Sequence, residues 1–278
     1  MTSVPIKNRF LICAEPITVN PLQYSYHVRR AFSQIIEFKP SLRTQASHSV
    51  PIGGSFNPQY RANEMFANHG TRKGCIILNQ NKFSLISDSN YALRNRFIRA
   101  AWNQGIPLTV GGRDWNRGLS WTFLQLLYHA MVALRAHQVP SLSQITNPIP
   151  RRFHRHLLGP IDDELELLSR FRTCVVIENE SSYVSEKIFQ ALRAGCQCVY
   201  VGPRLNSSDF PKGFLYPAER SASDICQSVT QAIDSEYSIE SWQIRDWFET
   251  STFAQVNSIQ TLTSSISEQI WAWLFSSL

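Results

Sequence analysis

The chain has 278 residues, room for one large or two small domains at roughly 100–200 residues each. It is 43% hydrophobic and 17% charged, which excludes a disordered, collagen-like or low-complexity polypeptide. A formal charge of +6 favours anionic partners but does not choose among phosphorylated small molecules, nucleic acid and membrane surfaces.

The opening residues, MTSVPIKNRF, lack the apolar core of a signal peptide. The six cysteines are scattered without a C-x-x-C pair, so reduced thiols in a cytoplasmic setting are expected. Cys196 and Cys198 flank Gln197 in an apparent strand and face one side, where small buried hydrophobes outweigh metal ligands. No run reaches the ~20 apolar residues of a membrane span.

In chain order, the first eighty residues read as short apolar pieces separated by Pro, Gly and Asn. They are FLIC at 10–13, a helical stretch over 24–32 and IIEF at 35–38. A clearer rhythm follows. Residues 83–87 predict a strand, Asp88-Ser89-Asn90 a turn and cap, and 91–104 a helix with Leu93, Phe97 and Ala100/Ala101 on one face. Gly105 stops it, and 107–110 returns as a strand ending in Gly111-Gly112. Residues 119–138 carry Trp121, Leu124, Leu127/Tyr128, Met131 and Leu134 at helical spacing, and a basic cluster, RRFHRH, follows at 151–156. The simplest reading is a helix packed on the body beside a solvated loop; the other is a contact with a membrane surface or nucleic acid. Asp162-Asp163-Glu164 predicts the acidic first turn of the next helix.

The rhythm then repeats. Residues 173–177 form a continuous apolar run, as a strand covered on both faces requires. A polar loop over 178–182 leads into a helix over 183–194, closed by Gly195, and 198–201 is the next strand. Two βαβ units argue for a parallel sheet, which binds ligands at the carboxyl ends of its strands. Arg94, Arg96 and Arg99 lie early in the first crossover helix and Lys187 in the first turn of the second, where cations oppose the macrodipole. An anion held there would turn that cost into a gain, so the pattern suggests a diphosphate gripped between two helix starts, against a reading as ordinary surface charges. Glu186 is placed to accept hydrogen bonds from sugar or ribose hydroxyls, and Glu178 and Asn179 close the preceding strand on the same crevice. No Walker A loop, dinucleotide fingerprint, H-E-x-x-H or G-x-S-x-G stands where its chemistry needs it. The absence of an Asp-x-Asp triplet weighs against a metal-held nucleotide, and no metal or other cofactor is expected.

The stretch IENESSYVSEKIFQALRAGCQCVYVGP (177–203) resembles the signature of glycosyltransferase family 10, the α1,3/4-fucosyltransferases, bacterial type. Glu178-Asn179, the block Tyr183 to Ile188 and Gly202-Pro203 match, with Ser185 in place of the usual Thr. SDSNYALRNRF (87–97), LTVGGRDWN (108–116) and SSDFPKGF (207–214) are similar to further family segments in the same order. The resemblance implies an α/β GT-B fold of two Rossmann-like domains. Residues 1–80 would be a reduced acceptor-side domain and 81–261 a donor domain with a helical insertion at 118–160. Residues 262–278 would be a helix packing back across both. It also implies inverting transfer of fucose from GDP-fucose to a glycan hydroxyl. Carried over residue by residue, Arg94 and Lys187 would bind the diphosphate, Glu186 the ribose or sugar, and Tyr183, Glu178 and Asn179 the same donor. The family's general base is a Glu in the acceptor domain; the comparable place here is Ala14-Glu15-Pro16, with Glu37 next in line. The expected partners are a GDP-sugar and a glycan acceptor, not nucleic acid, in the cytoplasm or at the inner face of the membrane. Two alternatives stand beside this: the same fold with another nucleotide sugar, and a non-catalytic sugar-nucleotide-binding protein.

Overall fold

The computed structural model describes residues 4–6, 9–13, 15–37, 47–49, 72–236, 239–252, 263–264, 266–268 and 270–271. Near the amino terminus, β1 (Phe10–Cys13), β2 (Gln34–Glu37) and β3 (Ser47–Ser49) pair in parallel in that order. Between β1 and β2 lie a 3-10 turn, Pro21–Tyr24, and a short helix, α1 (Tyr26–Arg29). The single helix expected over 24–32 is therefore split. Ser25 has an extended backbone and caps α1 with its side chain, accepting the Val28 N–H, so the two pieces cannot be continuous. Cys13, Tyr24 and Ile35 form a small core with Leu11 and Ile17 against it.

The second sheet holds the bulk of the core. Its strands are β4 (Cys75–Leu78), β5 (Leu108–Gly111), β6 (Leu157–Gly159), β7 (Thr173–Ile177), β8 (Gln197–Val201) and β9 (Leu215–Pro217). All pair in parallel, in the order β6-β5-β4-β7-β8-β9. The chain thus starts in the middle, builds one half outward, then returns to build the other half from β7. The order reverses between β4 and β7, and such reversal points leave a crevice at the carboxyl ends of the strands.

Both faces are covered, as the continuous apolar runs require. Ile76, Leu78, Cys174, Val176, Cys198 and Tyr200 point to one side. There they meet α4 (Glu164–Leu168), α5 (Lys187–Arg193) and α7 (Ser241–Thr250). Cys75, Ile77, Val175, Ile177, Val199 and Val201 point to the other and meet α2 (Tyr91–Asn103) and α6 (Ala222–Asp234). The six cysteines are buried, as small hydrophobes.

Four expectations change. The first strand of the large sheet is CIIL at 75–78, ahead of the boundary expected after residue 80, and residues 83–87 are not a strand. Phe83, Leu85 and Ile86 are buried, but the segment pairs with a loop: Ser141 N–H donates to the Leu85 carbonyl and the Gln144 side-chain amide to that of Ser87. The helix expected from residue 183 begins at Lys187, because the Glu178 side chain accepts the Ser185 N–H and keeps 183–185 out of the helix. Helix α3 (Leu119–Arg135) forms as expected, but it packs by the wrong face. Val132, Ala133 and the following Ala136 are buried, whereas Leu124, Leu127, Tyr128, Met131 and Leu134 are exposed. The helix expected over 262–278 falls largely outside the described residues.

The turn after β5 is held by close backbone approach. Gly112 has φ +122, and a Cβ there would lie 2.1 Å from the Asn79 carbonyl oxygen. Gly105 also has positive φ, +75, but open space around it. Gly112→Ala should therefore destabilise the chain by clearly more than the about 1–2 kcal/mol expected for strain alone at Gly105→Ala. Equal losses in denaturant unfolding would show that the β4–β5 crossing tolerates a side chain.

Candidate functional site

A cavity of about 380 Å³ opens at the carboxyl ends of β4, β5, β6 and β7, at the reversal of strand order. Each strand contributes the residues just past its end. Asn79, Gln80 and Lys82 follow β4, Gly112 and Arg113 follow β5, and Pro160 and Ile161 follow β6. From the loop after β7 come Asn179, Tyr183, Ser185 and Glu186, with Lys187 opening α5. Glu15, two residues beyond β1, enters from the small sheet.

Arg94 ties the site together. It lies on α2 and is buried, 2% exposed. Its Nε and Nη2 donate to the Ile177 carbonyl, and Nη2 to Asn179 Oδ1 at 2.9 Å. Its guanidinium also lies 5.0 Å from the centre of the Tyr91 ring. The first helix is thereby fastened to the end of β7 across the reversal point. The flanking loops are braced as well. Asn90 N–H donates to the Asn179 carbonyl. Arg220 bridges Asp88 at 2.7 Å and donates to Asn90 Oδ1, while Ser181 donates to the Asp88 carboxylate.

Two carboxylates of the 177–203 stretch behave differently. Glu186 pairs with Lys187 at 3.0 Å and faces the cavity. Burial works against its charge, but Lys187, a backbone hydrogen bond and Lys82 more than offset this and hold the carboxyl below its ordinary value. Glu178 is 1% exposed and does not line the cavity. Its Oε1 accepts the Ser185 N–H at 2.9 Å. Burial pushes its carboxyl up to about 7, against the pull of the Ser185 hydrogen bonds, Lys187 and Arg94.

Glu15 faces this cluster from the other sheet. Its backbone carbonyl accepts the hydroxyl proton of the buried Tyr24 at 2.9 Å, which fixes the loop that carries it. Burial raises its carboxyl above the ordinary value; Lys82 and Lys187 pull it down and Glu186 pushes it up. A second contact joins the same segment to the large sheet: Thr18 donates to Glu180 Oε2 at 3.2 Å, while Ser182 donates to Oε1 at 2.7 Å.

The cavity therefore brings together Glu15, Arg94, Asn179, Tyr183, Glu186 and Lys187, and leaves Glu178 beneath it. Arg96 and Arg99 turn away: they donate to the carbonyls of Ser143 and Asn147 and hold a surface loop, so the row of arginines on α2 is not one anion grip. Sequence reasoning missed Lys82 and Arg113. With the strand set at 83–87, Lys82 precedes it, whereas with CIIL as the strand it follows at the ligand-binding end. Arg113 sits in the turn closed by Asp114, a non-glycine residue at φ +73. Gln80, Asn81 and Arg117 all bond to Asp114 and hold that conformation.

No family model and no curated protein matches the chain. Solved structures do. An Anabaena protein, HepE, crystallised with UDP and glucose, aligns at a TM-score of 0.51 and 12% identity over 95% of this chain and 71% of its own. WaaG, a glycosyltransferase involved in lipopolysaccharide biosynthesis, aligns at 0.49 and 10% identity over 95% of this chain and 75% of its own. An α1,3-fucosyltransferase with GDP aligns at 0.41 and 13% identity over 90% of this chain and 75% of its own. The chain spans only 44–47% of three other matched chains, among them the pneumococcal O-GlcNAc transferase GtfA. At these identities the likeness concerns the fold, and the fold is α/β of the GT-B type.

The buried Glu178 makes stability depend on pH. Unfolded, its carboxyl ionises near 4.5; folded, it keeps its proton to about 7. Its contribution is therefore complete below pH 4.5 and lost as the pH rises through about 7. Glu178→Gln keeps an acceptor for Ser185 but cannot ionise, so its melting temperature should fall less than that of the wild type across this range. Parallel curves would mean that Glu178 is ionised in the folded chain.

Proposed function

We propose that this chain is a nucleotide-sugar-dependent glycosyltransferase that moves fucose from GDP-fucose to a glycan hydroxyl with inversion. The observation that carries the reading is one cavity lined by Lys82, Arg94, Arg113 and Lys187 from the large sheet and by Glu15 from the small one. A nucleoside diphosphate needs cationic neutralisation as its bond to the sugar breaks, and inversion needs a base on the far side of the anomeric carbon. The choice of fucose and guanine rests on the signature at 177–203, three of whose lining residues are Tyr183, Glu186 and Lys187.

In this reading Lys187, Lys82 and Arg113 grip the diphosphate, while the buried Arg94 sets the wall against which it lies. Glu186, kept ionised by Lys187, accepts hydrogen bonds from ribose or sugar hydroxyls. Glu15 takes the proton of the acceptor hydroxyl. The acceptor oxygen then bonds to the anomeric carbon as the bond from that carbon to the diphosphate oxygen breaks, and GDP leaves with the electron pair. The raised carboxyl of Glu15 suits a base, because a base with a higher pKa takes a hydroxyl proton more readily. The acceptor side is assigned to the amino-terminal sheet, and the donor side to the large sheet that begins at β4, with its insertion at 118–160.

Thermal stabilisation by GDP-fucose, GDP-mannose and UDP-glucose tests the donor. A ligand at ~100 times its dissociation constant adds about 2.7 kcal/mol, and GDP-fucose should give the largest shift. A larger shift with UDP-glucose would replace the donor, and no shift with any would remove the reading. Lys187→Ala should weaken GDP binding roughly 10- to 100-fold, since a charge-assisted hydrogen bond is worth about 1.5–3 kcal/mol. Glu15→Gln should leave donor binding intact and lower turnover about 10²–10⁴-fold. The acid limb of the wild-type pH profile should be displaced upward from the ordinary glutamate value, the direction in which partial desolvation shifts Glu15. Normal turnover in Glu15→Gln would make the chain's base a different residue.

A further inference from the structure

The exposed face of α3 has no place in the sugar-transfer reading. Phe123, Leu124, Leu127, Tyr128, Met131 and Leu134 are 44–65% exposed. At 100° per residue they fall within one arc of the helix, opposite the buried Val132, Ala133 and Ala136. The apolar surface continues past the helix through Val139, Leu142 and Ile145, which are also exposed. Scattered single apolar residues on a surface are ordinary; a contiguous stripe of this length marks something that binds there.

Charge accompanies the stripe. Residues 89–161 hold nine arginines, no lysine and one acidic residue, Asp114, a net of +8 in a chain whose total is +6. The net positive charge therefore lies in this region, the remaining 205 residues being slightly negative; of the nine arginines Arg94 is buried and Arg113 lines the cavity, and the other seven are at least partly exposed. The structure joins the two features. Arg96 and Arg99 on α2 donate to the carbonyls of Ser143 and Asn147, so they flank Leu142 and Ile145. One turn further along α2, Asn103 accepts from Arg152, which brings in the exposed basic turn Arg151–His156. Arg135 ends α3 on the exposed side.

We propose that α3 and the adjoining arginines are a docking surface for an anionic lipid bilayer. Leucine, methionine and aromatic side chains would enter the boundary between headgroups and acyl chains, and the arginines would pair with lipid phosphates. At 17 residues α3 is too short to cross a bilayer, and among the described residues no helix is long and apolar enough to do so; α3 therefore lies in the plane. A nucleic acid would take the charge but gives no reason for the apolar stripe. A second copy of the chain, joined face to face about a two-fold axis, would set the exposed arginines Arg96, Arg135, Arg151, Arg152 and Arg155 against their own copies. A bilayer satisfies both features. Because α3 begins six residues after the cavity-lining Arg113, docking would bring the cavity close to the membrane.

The test uses the full chain and vesicles of phosphatidylcholine with and without phosphatidylglycerol. The chain should sediment with the anionic vesicles, less so in high salt, and much less with pure phosphatidylcholine. Leu124→Glu/Leu127→Glu should lower that binding at least about tenfold while its thermal melt stays that of the wild type, since both side chains are exposed. Arg151→Ala/Arg152→Ala/Arg155→Ala should lower it and flatten the salt dependence. No association of the wild type, equal binding to neutral vesicles, or binding untouched by Leu124→Glu/Leu127→Glu would each overturn the proposal. So would a self-association abolished by Leu124→Glu/Leu127→Glu without vesicle binding, which would make the occupant a second copy.

Discussion

A guanidinium buried to 2% exposure has to find acceptors, and Arg94 finds them at the carbonyl that ends β7 and at the Asn179 side chain two residues later. The sheet's two halves meet at this place, β4 having been laid down first and β7 returning beside it. Leaving such a group without partners in the interior is costly, so α2 cannot slide along the sheet without breaking three donated bonds. The position of the loop after β7 follows from that of α2, and with it the position of Tyr183, Glu186 and Lys187. Asp88, Asn90, Ser181 and Arg220 reinforce the same junction from the solvent side.

The cavity collects cations from three different loops and answers them with few carboxylates. Lys82 lies near Glu15, Arg94, Glu186 and Lys187; partial loss of solvent lowers its tendency to hold a proton, and Glu15 acts against that. Lys187 is spoken for by Glu186 at 3.0 Å. An incoming dianion would meet donors already oriented by carboxylate neighbours, with side-chain entropy lost in folding instead of in binding. Glu178, lying beneath the cavity, serves the same end, because its hold on Ser185 fixes the non-helical segment that carries Tyr183, Ser185 and Glu186 into the cavity lining.

Much of the large sheet was legible in the residues. Thr173 to Ile177 is apolar throughout because both its faces are covered, and the helix over 91–104 announced itself by period and by the Gly105 stop. The strand CIIL was not. It follows the Pro-, Gly- and Asn-broken start of the chain, and the equally apolar FSLIS eight residues on competes for the same role. What separates them is tertiary: Cys75 to Leu78 have strand partners on both sides, whereas 83–87 meets a loop. Misplacing that strand concealed Lys82. The site residues carried by the 177–203 signature mostly meet in one cavity, since a local motif after a strand travels as a unit. Glu178 did not follow, because alternation along an extended chain turns it inward beside Asn179 facing out. The apolar stripe of α3 was legible as a stripe, but periodicity says only that a face is apolar and is silent on what covers it.

Glu15 belongs to the small sheet and is set by Tyr24, whereas the cations that line the same cavity belong to the large one. Thr18 with Glu180 is a direct bond between them, and a modest one at 3.2 Å. Under natural selection the two sides are then open to separate revision. Substitutions within residues 9–37 can recast what the carboxylate is aimed at without disturbing the charged wall built on β4, β5 and β7. Recombination of a new amino-terminal piece onto an old sheet would have to keep the Thr18–Glu180 contact and the packing of residues 21–24 against α3, a route by which one inherited cavity could come to serve many different recipients.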